Sequence, residues 1–258
     1  MQTLAGGEPW NSVRDDMRLE RIATETGAIL YDPSRLDHPA AADFDAQALA
    51  AAGRVTGTAS GRGSAWFLAP SHGGGAAMVL RHYRRGGLVA RLVADRYLWR
   101  GAEATRAFRE LRLLAVLEAL GLPAARPVAA RYLRAGVAYR ADLLTLAIPG
   151  ARPLAACLGE RLAPALWRRI GATIGAFHDA GVCHADLNAH NVLLDGDDAV
   201  YLVDFDRGAR LAPGPWRERN LGRLARSLTK LGGIGSTASA GWAALLEGYR
   251  APRNAPPR

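Results

Sequence analysis

Short apolar runs separated by turn residues dominate the first half of this chain, and helical spacing dominates the second. Residues 1–27 are polar and read as an extension outside the core. Ala28–Tyr31 is a short apolar run ahead of the turn-like Asp32-Pro33-Ser34, and Phe44–Ala52 has helical character. Val55–Thr58 and Ala65–Leu68 flank Ala59-Ser60-Gly61-Arg62-Gly63-Ser64, the pattern of a hairpin with a glycine-rich tip. Ala76–Tyr83 is a third strand candidate, followed by Arg84-Arg85-Gly86-Gly87 and a basic, partly helical stretch to about Arg100. Ala102–Leu120 carries Leu113, Val116, Leu117 and Leu120 on one stripe and ends at Gly121 and Pro123. Val128–Tyr132 and Ala138–Leu146 complete a five-stranded unit interrupted by one helix.

Ile148-Pro149-Gly150 marks a boundary. Beyond it, Leu162–Ala180 is a helix with Leu166, Ile170, Ile174 and Phe177 inward. The loop Cys183–Asn191 leads into strands Val192–Leu194 and Val200–Val203 around an Asp195–Asp198 turn. Glu218–Leu231 and Gly241–Tyr249 are helical, and the last residues read as a tail. The expectation is an α+β chain: an extension (1–27), a sheet-rich lobe (28–147) and a mainly helical lobe (148–258).

Composition narrows the class. The 258 residues are 49% hydrophobic and 22% charged, which suits a globular chain with a large core. No run approaches 18 apolar residues, and MQTLAGGEPWNSVRDDMRLE has no apolar leader segment, which points to the cytosol. Two cysteines, Cys157 and Cys183, are too few for a disulfide framework and read as small buried hydrophobes. The net charge of +9 comes almost wholly from arginine, since Lys230 is the only lysine among 33 cations. Arginine forks bind phosphate and carboxylate bidentately, so nucleic acid, anionic lipid and phosphorylated substrates all remain open.

The sharpest chemistry lies in His184-Ala185-Asp186-Leu187-Asn188-Ala189-His190-Asn191 and Leu202-Val203-Asp204-Phe205-Asp206. Phosphoryl transfer needs a carboxylate to orient the attacking hydroxyl and hard oxygen ligands for magnesium on the phosphates. Asp186, Asn191 and Asp204 can supply them. These strings resemble the catalytic loop and metal-binding segment of the protein-kinase-like superfamily. The resemblance implies a bilobal fold with an N-terminal five-stranded antiparallel sheet, Asp186 as base, Asn191 and Asp204 on Mg2+, and ATP as phosphoryl donor.

Two departures stand out: Asp206 replaces the glycine usual after Asp-Phe, and Asn188 stands where serine/threonine kinases carry lysine. Both argue against a regulated eukaryotic-type protein kinase. Upstream, Gly61, Arg62, Gly63 and Ser64 are expected to cover nucleotide phosphates, although a glycine hairpin without ligand is equally common. The strand position usually held by lysine is occupied by Arg81, with Glu110 as its expected partner and Glu103 as the alternative. His178 and His184 are expected to support the loop. His82 and Tyr83 suit either core or substrate surface.

A narrower resemblance joins Val79-Leu80-Arg81-His82-Tyr83-Arg84-Arg85-Gly86-Gly87-Leu88, Thr105-Arg106-Ala107-Phe108-Arg109-Glu110 and Asn220-Leu221-x-Arg223-Leu224-x-Arg226-Ser227-Leu228 to the 3-deoxy-D-manno-octulosonic acid (Kdo) kinases, which group with the lipopolysaccharide core kinases. It implies phosphorylation of the 4-hydroxyl of Kdo on a lipid A precursor, at the cytoplasmic face of the bacterial inner membrane. Between residues 81 and 112 there are nine arginines against three acids. Of these, Arg84 and Arg85, with Asn188 of the loop, are the expected acceptor contacts, and the arginines suit an anionic membrane surface. No nucleic-acid partner and no obligate protein partner are expected. A core heptose or small-molecule acceptor, or a non-catalytic basic module, are the alternatives.

Overall fold

The computed structural model describes residues 19–59, 64–70, 75–84, 95–232 and 240–252. In chain order the elements are β1 (Glu20–Thr24), β2 (Gly27–Tyr31), α1 (Ala46–Ala51), β3 (Val55–Ala59), β4 (Ser64–Leu68), β5 (Met78–His82), β6 (Tyr97–Leu98), α2 (Arg106–Ala119), β7 (Pro127–Ala135) and β8 (Ala138–Leu146). The second half adds β9 (Arg152–Pro153), α3 (Leu154–Cys157), α4 (Pro164–Asp179), β10 (Val182–Cys183), β11 (Val192–Leu194), β12 (Val200–Leu202), β13 (Ala209–Arg210), α5 (Trp216–Lys230) and α6 (Ala240–Arg250). The fold is mixed α and β, built on one large antiparallel sheet.

That sheet has eight strands, in the order β1-β2-β7-β8-β5-β4-β3 with β6 paired to β8, and this corrects the expected five. β1, β2 and β6 are the additions. β1 (ERIAT) is largely exposed along its length, so it lacks the apolar alternation that marks a half-buried strand. β6 is only two residues long, below the length at which alternation can be read. β2 lies against β7 in register Ile29↔Arg131, and its Ala28–Tyr31 run is fully buried.

β8 is the spine. It pairs β7 on one side and β5 on the other, placing His82 and Arg131 on either side of buried Asp142. His82 Nδ1 lies 2.6 Å from Asp142 Oδ1 and Arg131 Nη2 2.7 Å from Oδ2, which settles His82 as part of the sheet's own polar bonding. Arg81, the next residue along β5, faces the opposite way because side chains alternate across a strand. On that side α2 packs Phe108, Leu111 and Leu114 into the core, all fully buried.

The second half joins the same core: Ile170, Ile174 and Phe177 of α4 cluster with Phe205, Leu224 and Leu245. α4 and α6 approach at glycines. A Cβ on Gly171 would sit 1.9 Å from the Leu245 carbonyl oxygen, and one on Gly248 1.9 Å from that of Arg168. β12 is tied to the turn after α2 by the Leu202 N–H bond to the Pro123 carbonyl, 3.0 Å, which fixes the chain entering Asp204.

Candidate active site

The Cys183–Asn191 loop is held by its own polar side chains. His184 is buried; its Nε2 donates to the Val203 carbonyl (2.9 Å), and its Nδ1 accepts the Asp186 N–H (3.2 Å). Burial lowers the His184 pKa against the pull of that carbonyl, consistent with a neutral ring protonated on Nε2. The ring packs on Phe205, 4.7 Å between centroids, and Phe205 stacks on Phe177. Asn188 and Asn191 both donate through Nδ2 to the Asp186 carbonyl, at 2.9 and 3.0 Å. Asn188 Oδ1 also accepts the His190 N–H at 2.8 Å. The Val203 N–H reaches the Asn191 carbonyl at 3.0 Å, linking this loop to the strand that delivers Asp204. Asp204 itself has φ 64, a left-handed conformation that Asp tolerates better than most residues.

Above the loop lies an ion network. Arg81 forks between Glu110 on α2 and Asp204, and its Nη2 also donates to the Tyr83 hydroxyl at 3.1 Å. That hydroxyl donates to Glu110 Oε2 at 2.6 Å. Burial alone would lower the Arg81 guanidinium, but Glu110, Tyr83 and Asp204 raise it well above the ordinary arginine value, so it stays charged. Burial raises the pKa of Glu110, with Arg81 opposing. Tyr83 is raised well above its usual value, first by burial and then by Glu110. Glu103, the alternative partner, is exposed and pairs with Arg112 at 2.8 Å instead.

Two contacts escaped the sequence reading. Asp206 receives Arg106 from the first turn of α2 in a two-pronged ion pair, Nε to Oδ1 at 2.7 Å. The Arg106 guanidinium also lies 4.7 Å from the Tyr97 ring centre and 5.5 Å from that of Tyr83. Asp186 meets Arg223 of α5, Nη1 to Oδ1 at 3.1 Å. The only advance signals were that Arg106 and Arg223 sit in the strings that carry the narrower resemblance.

The remaining expected site residues lie on or just beyond β4 and β5, or outside the described residues. Gly61, Arg62, Gly63 and Arg85 lie outside the described residues; Ser64 begins β4, opposite His82. Arg84 is exposed just beyond β5. Arg81, Arg106 and Arg112 of the arginine-rich stretch are engaged in ion pairs within the chain, so the stretch is less a free cationic surface than its composition suggests. Tyr97 is buried and Trp99 packs on Tyr132 at 5.0 Å, leaving Leu98 as the exposed apolar residue there. Cys157 is buried, whereas Cys183 is half-buried. No helix among the described residues is long and apolar enough to cross a membrane.

A magnesium ion fits the donor set. With Asn191 Nδ2 bonded to Asp186, its Oδ1 is the remaining side-chain ligand atom, and the Asp204 carboxylate is 41% exposed. Among the described residues no group of three or more His, Cys, Asp or Glu could form an all-protein metal cage. Magnesium on a nucleotide needs only one or two protein oxygens beside the phosphates.

Comparison with known proteins agrees with this chemistry. Residues 46–249 match the family model described as "Lipopolysaccharide kinase (Kdo/WaaP) family". A 3-deoxy-D-manno-octulosonic acid kinase of Stenotrophomonas maltophilia is 50% identical over 210 residues, 80% of this chain and 82% of the relative. One from Photobacterium profundum is 41% identical over 239 residues, 92% of this chain and 100% of the relative. One from Vibrio parahaemolyticus is 43% identical over 213 residues, 82% of this chain and 88% of the relative.

Proposed function

The chain belongs to the lipopolysaccharide kinase (Kdo/WaaP) family, and we propose that it transfers the γ-phosphoryl group of ATP to the 4-hydroxyl of a Kdo residue on a lipid A precursor. The observation that carries the reading is the joined set Asp186, Asn191, Asp204 and Arg81, linked through loop and strand to one another. In the transfer the acceptor oxygen bonds to the γ-phosphorus as the bond to the bridging oxygen breaks. The hydroxyl proton goes to Asp186, and the bonding pair leaves with ADP. Asp186 orients the hydroxyl; His184 and Asn188 hold the loop backbone beneath it. Asn191 and Asp204 would hold Mg2+, which when bound neutralises charge on the phosphates. Arg81, kept in place by Glu110 and Tyr83, positions the donor phosphates, and covering them is assigned to the glycine-rich Gly61–Ser64 sequence.

The sheet-rich residues 28–147 then form the nucleotide lobe and 148–258 the catalytic and acceptor lobe of a bilobal, protein-kinase-like arrangement. Adenine reading falls to backbone after Ala147, because the Leu146 and Ala147 N–H groups are bonded to the Arg126 and Ala77 carbonyls. A lipid-anchored acceptor puts the working enzyme against an anionic membrane surface, the cytoplasmic face of the inner membrane, approached through exposed Arg84, Arg96, Arg100 and Arg109. Incubation with ATP, magnesium and either Kdo-bearing lipid A precursor or a heptosylated core, followed by mass analysis, tests the acceptor. Phosphate is expected on Kdo; phosphate on heptose alone overturns that choice. Asp186→Asn and Asp204→Asn should each reduce transfer by about 10²–10⁴-fold while the chain still folds, and near-normal transfer by either would refute the mechanism.

A further inference from the structure

Catalysis of phosphoryl transfer is mostly positioning plus cationic charge placed on the transferred group. Arg81 is held between Glu110 and Asp204, and the function proposed above assigns it to the donor phosphates. The loop residue expected at the acceptor is Asn188, and both ends of its amide hold loop bonds: Nδ2 on the Asp186 carbonyl and Oδ1 on the His190 N–H. It carries no charge, and each end of its amide already holds one bond that shapes the loop.

The cation that does reach Asp186 comes from another element. α5 touches the catalytic loop at three points on one face: Asn220 Oδ1 accepts the His184 N–H (3.1 Å), Arg223 Nη1 donates to Asp186 Oδ1 (3.1 Å), and Ser227 Oγ accepts the Ala189 N–H (3.1 Å). The i, i+3, i+7 spacing of 220, 223 and 227 makes these contacts a property of the helix face. Leu224 and Leu228, fully buried beside them, pin that face to the core. The Arg223 side chain is nevertheless 48% exposed, so one edge of the fork holds the base while part of the guanidinium faces solvent.

An oxygen that gives its proton to Asp186 while bonding to phosphorus puts the phosphoryl oxygens within a few ångströms of that carboxylate. A planar fork with one N–H on the carboxylate has others to offer there. We propose that Arg223 is a catalytic residue of this site, supplying from α5 the cation that meets the transferred phosphoryl group on its acceptor side. The inference rests on the kinase reading above.

The test measures kcat and KM for ATP and Kdo-bearing lipid A precursor in wild type, Arg223→Ala and Arg223→Lys. It adds the affinity of each for magnesium ADP with and without aluminium fluoride, a mimic of the phosphoryl group in flight. Arg223→Ala is expected to lower kcat by about 100-fold or more with acceptor KM little changed. Its aluminium fluoride complex should weaken by a similar factor while ADP alone binds as before, and Arg223→Lys should recover part of both. Retained kcat, a loss confined to acceptor KM, or equal weakening of ADP alone would each overturn the proposal; the second would assign Arg223 to the acceptor's carboxylate. If wild type phosphorylates no Kdo, the acceptor reading fails, while the aluminium fluoride comparison still decides the role of Arg223.

Discussion

Replacing Asp206 with glycine removes one half of the pair that anchors the start of α2 to the Asp204–Asp206 segment. The Arg106 and Asp206 side chains are 24% and 18% exposed, so the pair belongs to neither the surface nor the deep interior. Fully exposed pairs contribute about 0–1 kcal/mol, whereas removing one partner of a buried pair costs about 3–5 kcal/mol because the survivor is left uncompensated. The intermediate exposure and two-pronged geometry place Asp206→Gly at about 2–3 kcal/mol, since the stranded guanidinium keeps the faces of Tyr97 and Tyr83. For a chain of this size that corresponds to a melting temperature lower by about 5–10 °C. Arg106→Met, which preserves most of the packing, should cost about the same, and the double variant should be less destabilised than the sum of the singles. A double-mutant cycle in urea should give a coupling of about 1.5–2.5 kcal/mol. Additivity within about 0.5 kcal/mol would refute the claim that this pair holds α2 in place.

Three further outcomes are expected. Arg81→Lys places one point charge where a fork now spans two carboxylates, so kcat/KM for ATP should fall by about 10–100-fold; steady-state kinetics showing no loss would mean that Glu110 and Asp204 do not need bridging. Because burial lowers the pKa of His184, the unfolded chain takes up that proton before the folded one does. The His184 contribution is therefore intact above about pH 6.5 and is lost as pH falls below it. Urea midpoints should drop on acidification more steeply in wild type than in His184→Gln, and parallel slopes would refute this. Gly248→Val forces a side chain toward the Arg168 carbonyl, and thermal unfolding should show a loss of about 1–3 kcal/mol or failure to fold; wild-type stability would mean α4 and α6 can separate at no cost.

How legible each feature was depends on whether its cause was local in the chain. The hairpin strands, α2 and the Cys183–Asn191 loop are periodic or motif-bearing, so they could be read directly. β1 escaped because a polar edge strand owes its existence to β2 beside it, and nothing in ERIAT alone distinguishes it from a loop. The Arg81–Glu110 contact could be argued from a strand position and a helix stripe, since those two elements must pack. The Arg106–Asp206 and Arg223–Asp186 contacts could not, because which arginine meets which acid depends on how α2 and α5 are placed, not on any pattern around 106 or 223.

That distinction changes what the arginine excess means. A net charge of +9 suggests a surface waiting for an anion. Yet Arg81, Arg106 and Arg223 are held against Glu110, Asp204, Asp206 and Asp186, the acids of the candidate site itself. Carboxylates gathered around a phosphate-binding site would repel both one another and the donor. Cations built into the same network offset that repulsion before any nucleotide arrives. Fork-shaped, permanently charged side chains suit the task better than ammonium groups, because each can hold a carboxylate with one edge and still present N–H groups to a phosphate. The near-absence of lysine is thus compatible with phosphotransfer: Arg81 and Arg223 already sit on Asp204 and Asp186, the two carboxylates to which we assign the metal and the acceptor hydroxyl.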